Sequence, residues 1–451
     1  MQQLTFKQIA DAVHGQCDFF GTVESVCTDT RKLEPGCLYV ALKGPRFDGH
    51  AFIAQAFERK AAVVLTEVPV AGGPFILVKN TREALMDLAA YYRSLFSVNL
   101  VGITGSVGKT STKEMVYAVL SMKYNTLKTL GNRNNDIGLP LTLLRLDATH
   151  KAAVIEMGMS NLGEISALSR VAHPSVGVIT NIGYSHIETL GSRENILRAK
   201  LELLDGMETD FPVILNGDDD LLAGVQYEID RDFIYYGITN PYAPVRALNI
   251  EDSASGCRFD LQYYGKKIAC VLPVPGRHQV YNALAAFCVG LVCDIVPEDI
   301  VRALRDFRPE AMRQTIVQRA GQTLLVDCYN ASPQSVEAAL SVLAELPVGE
   351  KGRRIAVLGD MLELGSYSAE LHRSLADMAV RAGVDLLIGY GPESAEAYAR
   401  AGEIGLAAEH FRDAGELAAY LRDELHEGDA VLYKASRGMA MEIVIDEVYK
   451  A

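Results

Sequence analysis

The apolar positions of this chain alternate between two periods. From Val98 the sequence runs V-N-L-V-G-I-T, where Val98, Leu100, Val101 and Ile103 suit a strand buried in a parallel sheet. Beyond the glycines that follow, Met115, Val116, Val119 and Leu120 recur at helical spacing. The alternation returns at A-A-V-I-E-M-G from Ala152, at S-V-G-V-I-T from Ser175 and at F-P-V-I-L-N from Phe211. It appears again at L-L-V-D from Leu324, R-I-A-V-L-G from Arg354, D-L-L-I-G from Asp385 and A-V-L-Y-K from Ala430, with helices predicted over 334–346, 369–382 and 414–425. Strands alternating with helices predict an α/β protein with mostly parallel sheets. The pair R-F-D-L-Q-Y-Y from Arg258 and I-A-C-V-L from Ile268 departs from this and predicts an antiparallel hairpin turning at Gly265.

A chain of 451 residues suggests about three domains, and the pattern divides accordingly. Residues 1–80, with strands at 38–42, 61–65 and 75–78 and a helix at 51–59, read as a small α/β domain. Residues 81–309 open with a helix over 81–96 and carry a mostly parallel sheet. Residues 310–451 read as a doubly wound, Rossmann-like domain. No G-x-G-x-x-G occurs in that last segment, so a dinucleotide cofactor is not expected.

A net charge of −14 without a long basic run argues against nucleic acid as partner and for a small molecule held by local positive groups. Eight cysteines lacking C-x-x-C spacing read as reduced core residues. The first residues carry no signal-peptide pattern and no apolar run reaches membrane-spanning length, so a cytoplasmic protein without membrane insertion is expected.

The strongest chemical signal is G-I-T-G-S-V-G-K-T-S from Gly102, a phosphate-binding loop between strand and helix. It departs from G-x-x-x-x-G-K-[ST] in having Ile103 where the first glycine is usual. Gly105 and Gly108 let backbone approach an anion, and the first N–H groups of the new helix are free to bind it. Lys109, expected on a solvent-open loop, adds charge for the outer phosphates, and Thr110 offers a hydroxyl to Mg²⁺. Glu156 ends an apolar strand, where a carboxylate is costly unless paired, and suits a Mg²⁺ ligand. By position alone His186, at a polar strand tip, is either a structural hydrogen-bonder or a site residue, and Lys200, on a predicted helix, reads as a solvated lysine. C-T-D-T-R from Cys27 and K-G-P-R-F-D-G-H from Lys43 gather polar groups at strand ends, as ordinary loops or as ligand sites.

Taken in order, these motifs resemble the Mur ligases, ATP-dependent amide-forming enzymes of bacterial cell-wall precursor synthesis, almost end to end. Three loops narrow the resemblance: T-L-G-N-R-N-N-D-I-G-L-P from Thr129, D-C-Y-N-A-S-P from Asp327 and L-G-D-M-L-E-L-G from Leu358. It implies that D-alanyl-D-alanine is joined to UDP-N-acetylmuramoyl-tripeptide, by a monomer, in peptidoglycan synthesis. It also implies the roles of individual residues. Gly105, Ser106, Val107, Gly108, Lys109, Thr110 and Ser111 would hold the ATP phosphates, Asn282 the adenine, and Arg313 and Asp327 the phosphate and ribose. Thr110 and Glu156 would share one Mg²⁺, while His186 and Lys200, the latter as an N-carbamate, would serve a second metal. Asn135, beside Asn134, falls near the reacting groups. Thr28, Asp29, Arg31, Lys43 and Gly44 match the region for the UDP part, and Asn330, Lys434, Ser436 and Arg437 that for the dipeptide. The sequence has His278-Gln where the wider family often has His-Asn, and Val326-Asp327 where two aspartates are frequent.

The chemistry implied is attack of the tripeptide carboxylate on the γ-phosphorus of ATP, then attack of the dipeptide amine on the acyl phosphate. Two rivals stand beside it. One is a sibling ligase, or a folylpolyglutamate-type ligase, with a different amine; the other is a nucleotide-dependent switch, which has no need of His186 and Lys200.

Overall fold

The computed structural model describes residues 1–45, 47–309 and 314–450. It divides into two compact units. The first comprises Met1–Thr104, Lys123–Val178 and Ala199–Val213; the second comprises Gly105–Met122, Ile179–Arg198 and Ile214–Ala451.

In the first unit, four short strands pair in parallel in the order Val26–Cys27, Leu38–Val40, Val63–Thr66, Phe75–Leu77. Their core is Cys37, Tyr39, Ala41, Ile53, Ala56 and Val64. The helix Thr81–Ser94 starts where Asn80 accepts hydrogen bonds from the Arg82 and Glu83 amides, and it buries Ala84, Leu85, Leu88, Ala89 and Tyr92. A second parallel group runs Thr126–Lys128, Ala152–Glu156, Asn99–Thr104. Its registers pair Glu156 with Ile103, so these two strands finish side by side, and Met157 N–H closes the end on Ile103 O at 2.8 Å. All five residues of Ala152–Glu156 are buried, including the carboxylate.

In the second unit the hairpin forms as expected. Gly256–Tyr263 pairs antiparallel with Lys266–Leu272, and Gly265 (φ 79°) takes the left-handed turn. The remaining sheet has six strands in the order Thr315–Arg319, Gln322–Asp327, Ala430–Lys434, Arg354–Gly359, Leu386–Tyr390, Ala408–Phe411. The first pair is antiparallel and the others are parallel. Leu324, Ile355, Val357, Ile388, Val431 and Tyr433 fill its core. Chain order reverses about Ala430–Lys434, whose neighbours are Gln322–Asp327 and Arg354–Gly359. Ligands of open α/β sheets settle in the crevice that such a reversal leaves at the carboxyl ends of the strands.

One fully buried carboxylate anchors the opposite, amino-terminal ends of these strands. Asp429 accepts hydrogen bonds from the Arg353 amide at 2.8 Å, the His426 amide at 2.9 Å and the Arg353 guanidinium at 3.2 Å. Removing one partner of a buried charged network costs about 3–5 kcal/mol. Because Arg353 also binds Glu424 at 2.5 Å, its charge stays paired and the lower end applies. Asp429→Ala is therefore expected to destabilise the second unit by about 3 kcal/mol, read as a lower urea midpoint in the unfolding of its tyrosines.

Candidate active site

At the carboxyl ends of the paired strands in the first unit, Glu156 is only 2% exposed. Asn134 Nδ2 donates to its Oε1 at 2.8 Å, and its amide donates to Thr129 Oγ1 at 3.0 Å. Asn134 is also tied by its backbone, whose carbonyl accepts from Gly158 N–H at 2.9 Å. Thr104 Oγ1, at the end of the neighbouring strand, is buried with no hydrogen-bond partner. The next residue to Asn134 behaves differently: Asn135 Oδ1 accepts from the Gly138 amide at 2.9 Å and the Ile137 amide at 3.2 Å, capping the turn that follows.

In the second unit the phosphate loop is shaped by a polar segment that sequence patterning left as a strand tip. Asn181 holds both backbone groups of Val107: its Oδ1 accepts from Val107 N–H at 2.9 Å and its Nδ2 donates to Val107 O at 3.1 Å. Thr180 Oγ1 also donates to Val107 O at 2.6 Å, and Ser106 N–H donates to Asn181 O at 3.0 Å. The amides of Ser106 and Val107 are thus committed within the protein. The glycines answer first to this packing: a Cβ on Gly105 (φ 149°) would fall 1.9 Å from Thr180 Oγ1, and one on Gly108 (φ 81°) 2.7 Å from Asn282 Oδ1. The helix Lys109–Leu120 then begins with no side-chain cap and no acidic residue in its first turn, the arrangement that receives an anion.

Lys109 is not on an open loop. It is half-buried, and its ammonium donates to Gly105 O at 2.6 Å and Ser106 O at 3.3 Å, because the loop curls its carbonyls around the side chain. Thr110 is buried at the first turn of the same helix.

Asn282 belongs to a chain of side-chain hydrogen bonds. Thr112 Oγ1 donates to its Oδ1 at 3.0 Å, its Nδ2 donates to Gln279 Oε1 at 3.0 Å, and Gln279 Nε2 donates to Gln314 Oε1 at 2.8 Å. His278 Nε2 meets the same Gln314 oxygen at 2.8 Å, and burial holds this imidazole below the usual histidine range. Gln279 is the position where His-Asn is frequent in the family, and its longer side chain makes the bridge. Arg313 lies outside the described residues.

His186 follows the strand Val176–Ile179 in left-handed backbone (φ 66°, ψ 21°), with Nδ1 2.6 Å from Glu363 Oε2. That bond holds the Glu363 carboxyl below its ordinary range. Lys200, expected from its helical position to be solvated, is 1% exposed on the helix Arg193–Leu201, because the face that carries it is turned into the protein.

At the strand reversal of the C-terminal sheet, Lys434 Nζ donates to Asp327 Oδ2 at 2.5 Å and to Asn330 O at 2.9 Å. Ser436 Oγ accepts from Leu362 N–H at 2.9 Å, whereas Arg437 is exposed and pairs with Glu442 at 2.8 Å. The first unit carries the remaining candidates. Asp29 forms a two-pronged pair with Arg31, both contacts at 2.9 Å, which holds its carboxyl at about 2. Lys43 pairs with Glu67 at 2.9 Å, Gly44 sits against the Phe47 ring, and Thr28 is half-buried.

A buried strand, a glycine loop and an uncapped helix make this a phosphate-loop nucleotide-binding protein. Within that class the chain belongs to the Mur ligase family. Residues 22–93 match the family's "Mur ligase family, catalytic domain", 103–290 its "Mur ligase middle domain" and 312–437 its "Mur ligase, glutamate ligase domain". The chain is 38% identical to the UDP-N-acetylmuramoyl-tripeptide--D-alanyl-D-alanine ligase of Bacillus subtilis, covering 100% of this chain and 99% of that one. It is 38% identical to the Escherichia coli protein of the same name, over 99% and 98%. Among solved structures, MurF from Acinetobacter baumannii matches with TM-score 0.93 and 31% identity over 100% of both chains. MurF ligase from Thermotoga maritima in complex with ADP matches with TM-score 0.83 and 27% identity over 94% and 97%.

Asn181→Ala removes both grips on Val107 while leaving Thr180 in place. Two net hydrogen bonds of about 0.7 kcal/mol each correspond to about tenfold in affinity. Titration calorimetry with ADP is expected to show that weakening with little change in melting temperature.

Proposed function

We propose that this protein is an ATP-dependent amide ligase that joins D-alanyl-D-alanine to UDP-N-acetylmuramoyl-tripeptide in peptidoglycan precursor synthesis. The observation that carries the proposal is similarity over full length, at 38% identity, to two proteins bearing that activity in their names. The reaction begins when a carboxylate oxygen of the tripeptide attacks the γ-phosphorus of ATP and the bond to the bridging oxygen breaks, releasing ADP. The amine of D-alanyl-D-alanine then adds to the acyl carbon of the acyl phosphate, loses a proton, and expels phosphate as the amide forms.

Each part of the chain has a share in this. Residues 1–80 take the UDP part through Thr28, Asp29, Arg31, Lys43 and Gly44. Residues 81–309 take ATP, with the N-terminus of Lys109–Leu120 facing the phosphates and Asn282 the adenine. Residues 310–451 present the dipeptide through Asn330, Lys434, Ser436 and Arg437, and contribute Arg313 and Asp327 to the nucleotide. Arg437 is suited to the dipeptide carboxylate, because it is exposed and its guanidinium forms forked pairs with carboxylates. Lys109 lowers the cost of bringing two anions together and stabilises charge on the transferring phosphoryl group. The enzyme acts as a monomer in the cytoplasm, where ATP and nucleotide-linked precursors are at hand.

The residues present suit Mg²⁺. Glu156 is a buried carboxylate and Thr110 a hydroxyl, both hard oxygen donors, and the orphaned Thr104 hydroxyl can hydrogen-bond a metal-bound water. The described residues include no group of three or more His, Cys, Asp or Glu able to cage a metal, so substrate phosphates and water would supply the remaining ligands. When bound, Mg²⁺ supplies charge neutralisation to the phosphoryl group. His186 and Lys200, the latter as its N-carbamate, would hold a second ion. An ammonium cannot ligate a metal, whereas a carbamate offers two oxygens.

Turnover with UDP-N-acetylmuramoyl-tripeptide, ATP and D-alanyl-D-alanine, followed by mass spectrometry of the product, tests the proposal. Product made only with a different amine would transfer the assignment to a sibling ligase. Lys109→Ala is expected to lower kcat about 10²–10³-fold, and near-normal turnover would remove the phosphate loop from the mechanism. Lys200→Ala is expected to lose most activity and to recover part of it in acetate or formate, whereas Lys200→Arg is not rescued. Inactivity of Lys200→Ala without rescue leaves the lysine necessary but refutes replacement of a carbamate by a free carboxylate.

A further inference from the structure

We propose that Glu363 is a positioning residue for His186: its carboxylate accepts a hydrogen bond from Nδ1–H, leaving the Nε2 lone pair to face a divalent cation. The inference rests on the assignment of His186 as a metal-facing residue and names the group that makes it one. His186 Nδ1 and Glu363 Oε2 are 2.6 Å apart, and none of the described residues hydrogen-bonds Nε2. A neutral imidazole has one donor nitrogen and one acceptor nitrogen, and a carboxylate at Nδ1 selects the tautomer with the proton there. Carboxylate-backed histidines of this kind recur at metal sites, where the outer partner fixes both ring orientation and basicity.

The pair is solvent-accessible, with side-chain exposures of 22% and 58%, so as an ion pair it contributes little to stability. What distinguishes it is its frame. Both residues have left-handed backbone, φ 66° at His186 and φ 64° at Glu363, a conformation that histidine adopts more readily than most residues and that is uncommon for glutamate. Glu188 N–H donates to Glu363 O at 3.2 Å, Tyr367 Oη donates to Gly191 O at 3.4 Å, and the Tyr184 and Tyr367 rings lie 6.4 Å apart. Gly365 (φ 53°) passes close enough to Glu188 that a Cβ would sit 3.1 Å from its Cα. Residues 363–367 are therefore seated on residues 184–191 by backbone and side chain together. This loop follows the strand Arg354–Gly359 and holds Glu363 against His186.

The test uses the full-length protein and Mn²⁺ alone, titrated by electron paramagnetic resonance of the free ion. Glu363→Ala is expected to weaken Mn²⁺ binding about 10–100-fold, Glu363→Gln, whose amide oxygen still accepts from Nδ1, to recover part of it, and His186→Ala to weaken it at least as much. The double variant should be no weaker than His186→Ala, since Glu363 acts only through the ring. In ¹⁵N-histidine spectra the Nδ1–H tautomer of His186 should dominate in the wild type and lose that dominance in Glu363→Ala. Any of four results overturns the proposal: unchanged Mn²⁺ affinity in Glu363→Ala, additive losses in the double variant, unchanged affinity in His186→Ala, or no wild-type binding at millimolar Mn²⁺. Ligation by the wild type is read separately. A protein that ligates but whose Mn²⁺ binding ignores Glu363 refutes this inference alone, whereas a protein that fails to ligate refutes the assigned function.

Discussion

The shape of the phosphate loop depends on one residue, Val107, whose N–H and C=O are both held by Asn181 and whose C=O also accepts from Thr180. With that residue fixed, Gly105 must pass beneath Thr180 with no room for a Cβ, and the chain can enter the helix only through a left-handed Gly108 beside Asn282. The carbonyls of Gly105 and Ser106 then turn onto Lys109. A loop shaped by its own side chains needs no ligand to hold it, and the cost of ordering it is met on folding instead of on binding.

The same economy governs the charges. The chain has net charge −14, yet it is proposed to gather three phosphate- or carboxylate-bearing substrates. Two of its candidate cations are held by neighbouring oxygens: Lys109 by loop carbonyls, and Lys434 by Asp327 and the Asn330 carbonyl. Such contacts fix where an ammonium sits without extinguishing its field, because a carbonyl is only a partial charge. At Lys434 a full carboxylate is already present, so this lysine orients the strand reversal as much as it offers charge. Arg437 is also paired, with Glu442 at 2.8 Å, but it is exposed, and an ion pair so exposed is readily exchanged for another carboxylate.

Burial separates residues that look alike along the chain. Asn134 and Asn135 are adjacent, yet one supports the Glu156 carboxylate and the other caps a turn. Lys200 looks by residue type like any solvated lysine, yet it lies one turn from the buried Ile196 and Leu203 and is enclosed with them. The apolar spacing around Lys200 marks its face of the helix as the inward one, and it is the charge of the side chain, not its position, that suggests solvent.

The sequence by itself determined the α/β class, the principal strands and helices, the hairpin at Gly265 and the position of the phosphate loop. Those features follow from local apolar period and from the backbone freedom of glycine, and both are written in neighbouring residues. Some edge elements were not legible, among them the strand Ala408–Phe411 and the antiparallel strand Thr315–Arg319, because exposed edges carry mixed polar residues without a clean period. Only the tertiary structure decided that Asn181 and Thr180 shape the loop, that Asn134 backs Glu156, and that Glu363 meets His186 across 177 positions of sequence. Such contacts arise from how distant strands and loops register against one another, and no residue near either partner records them.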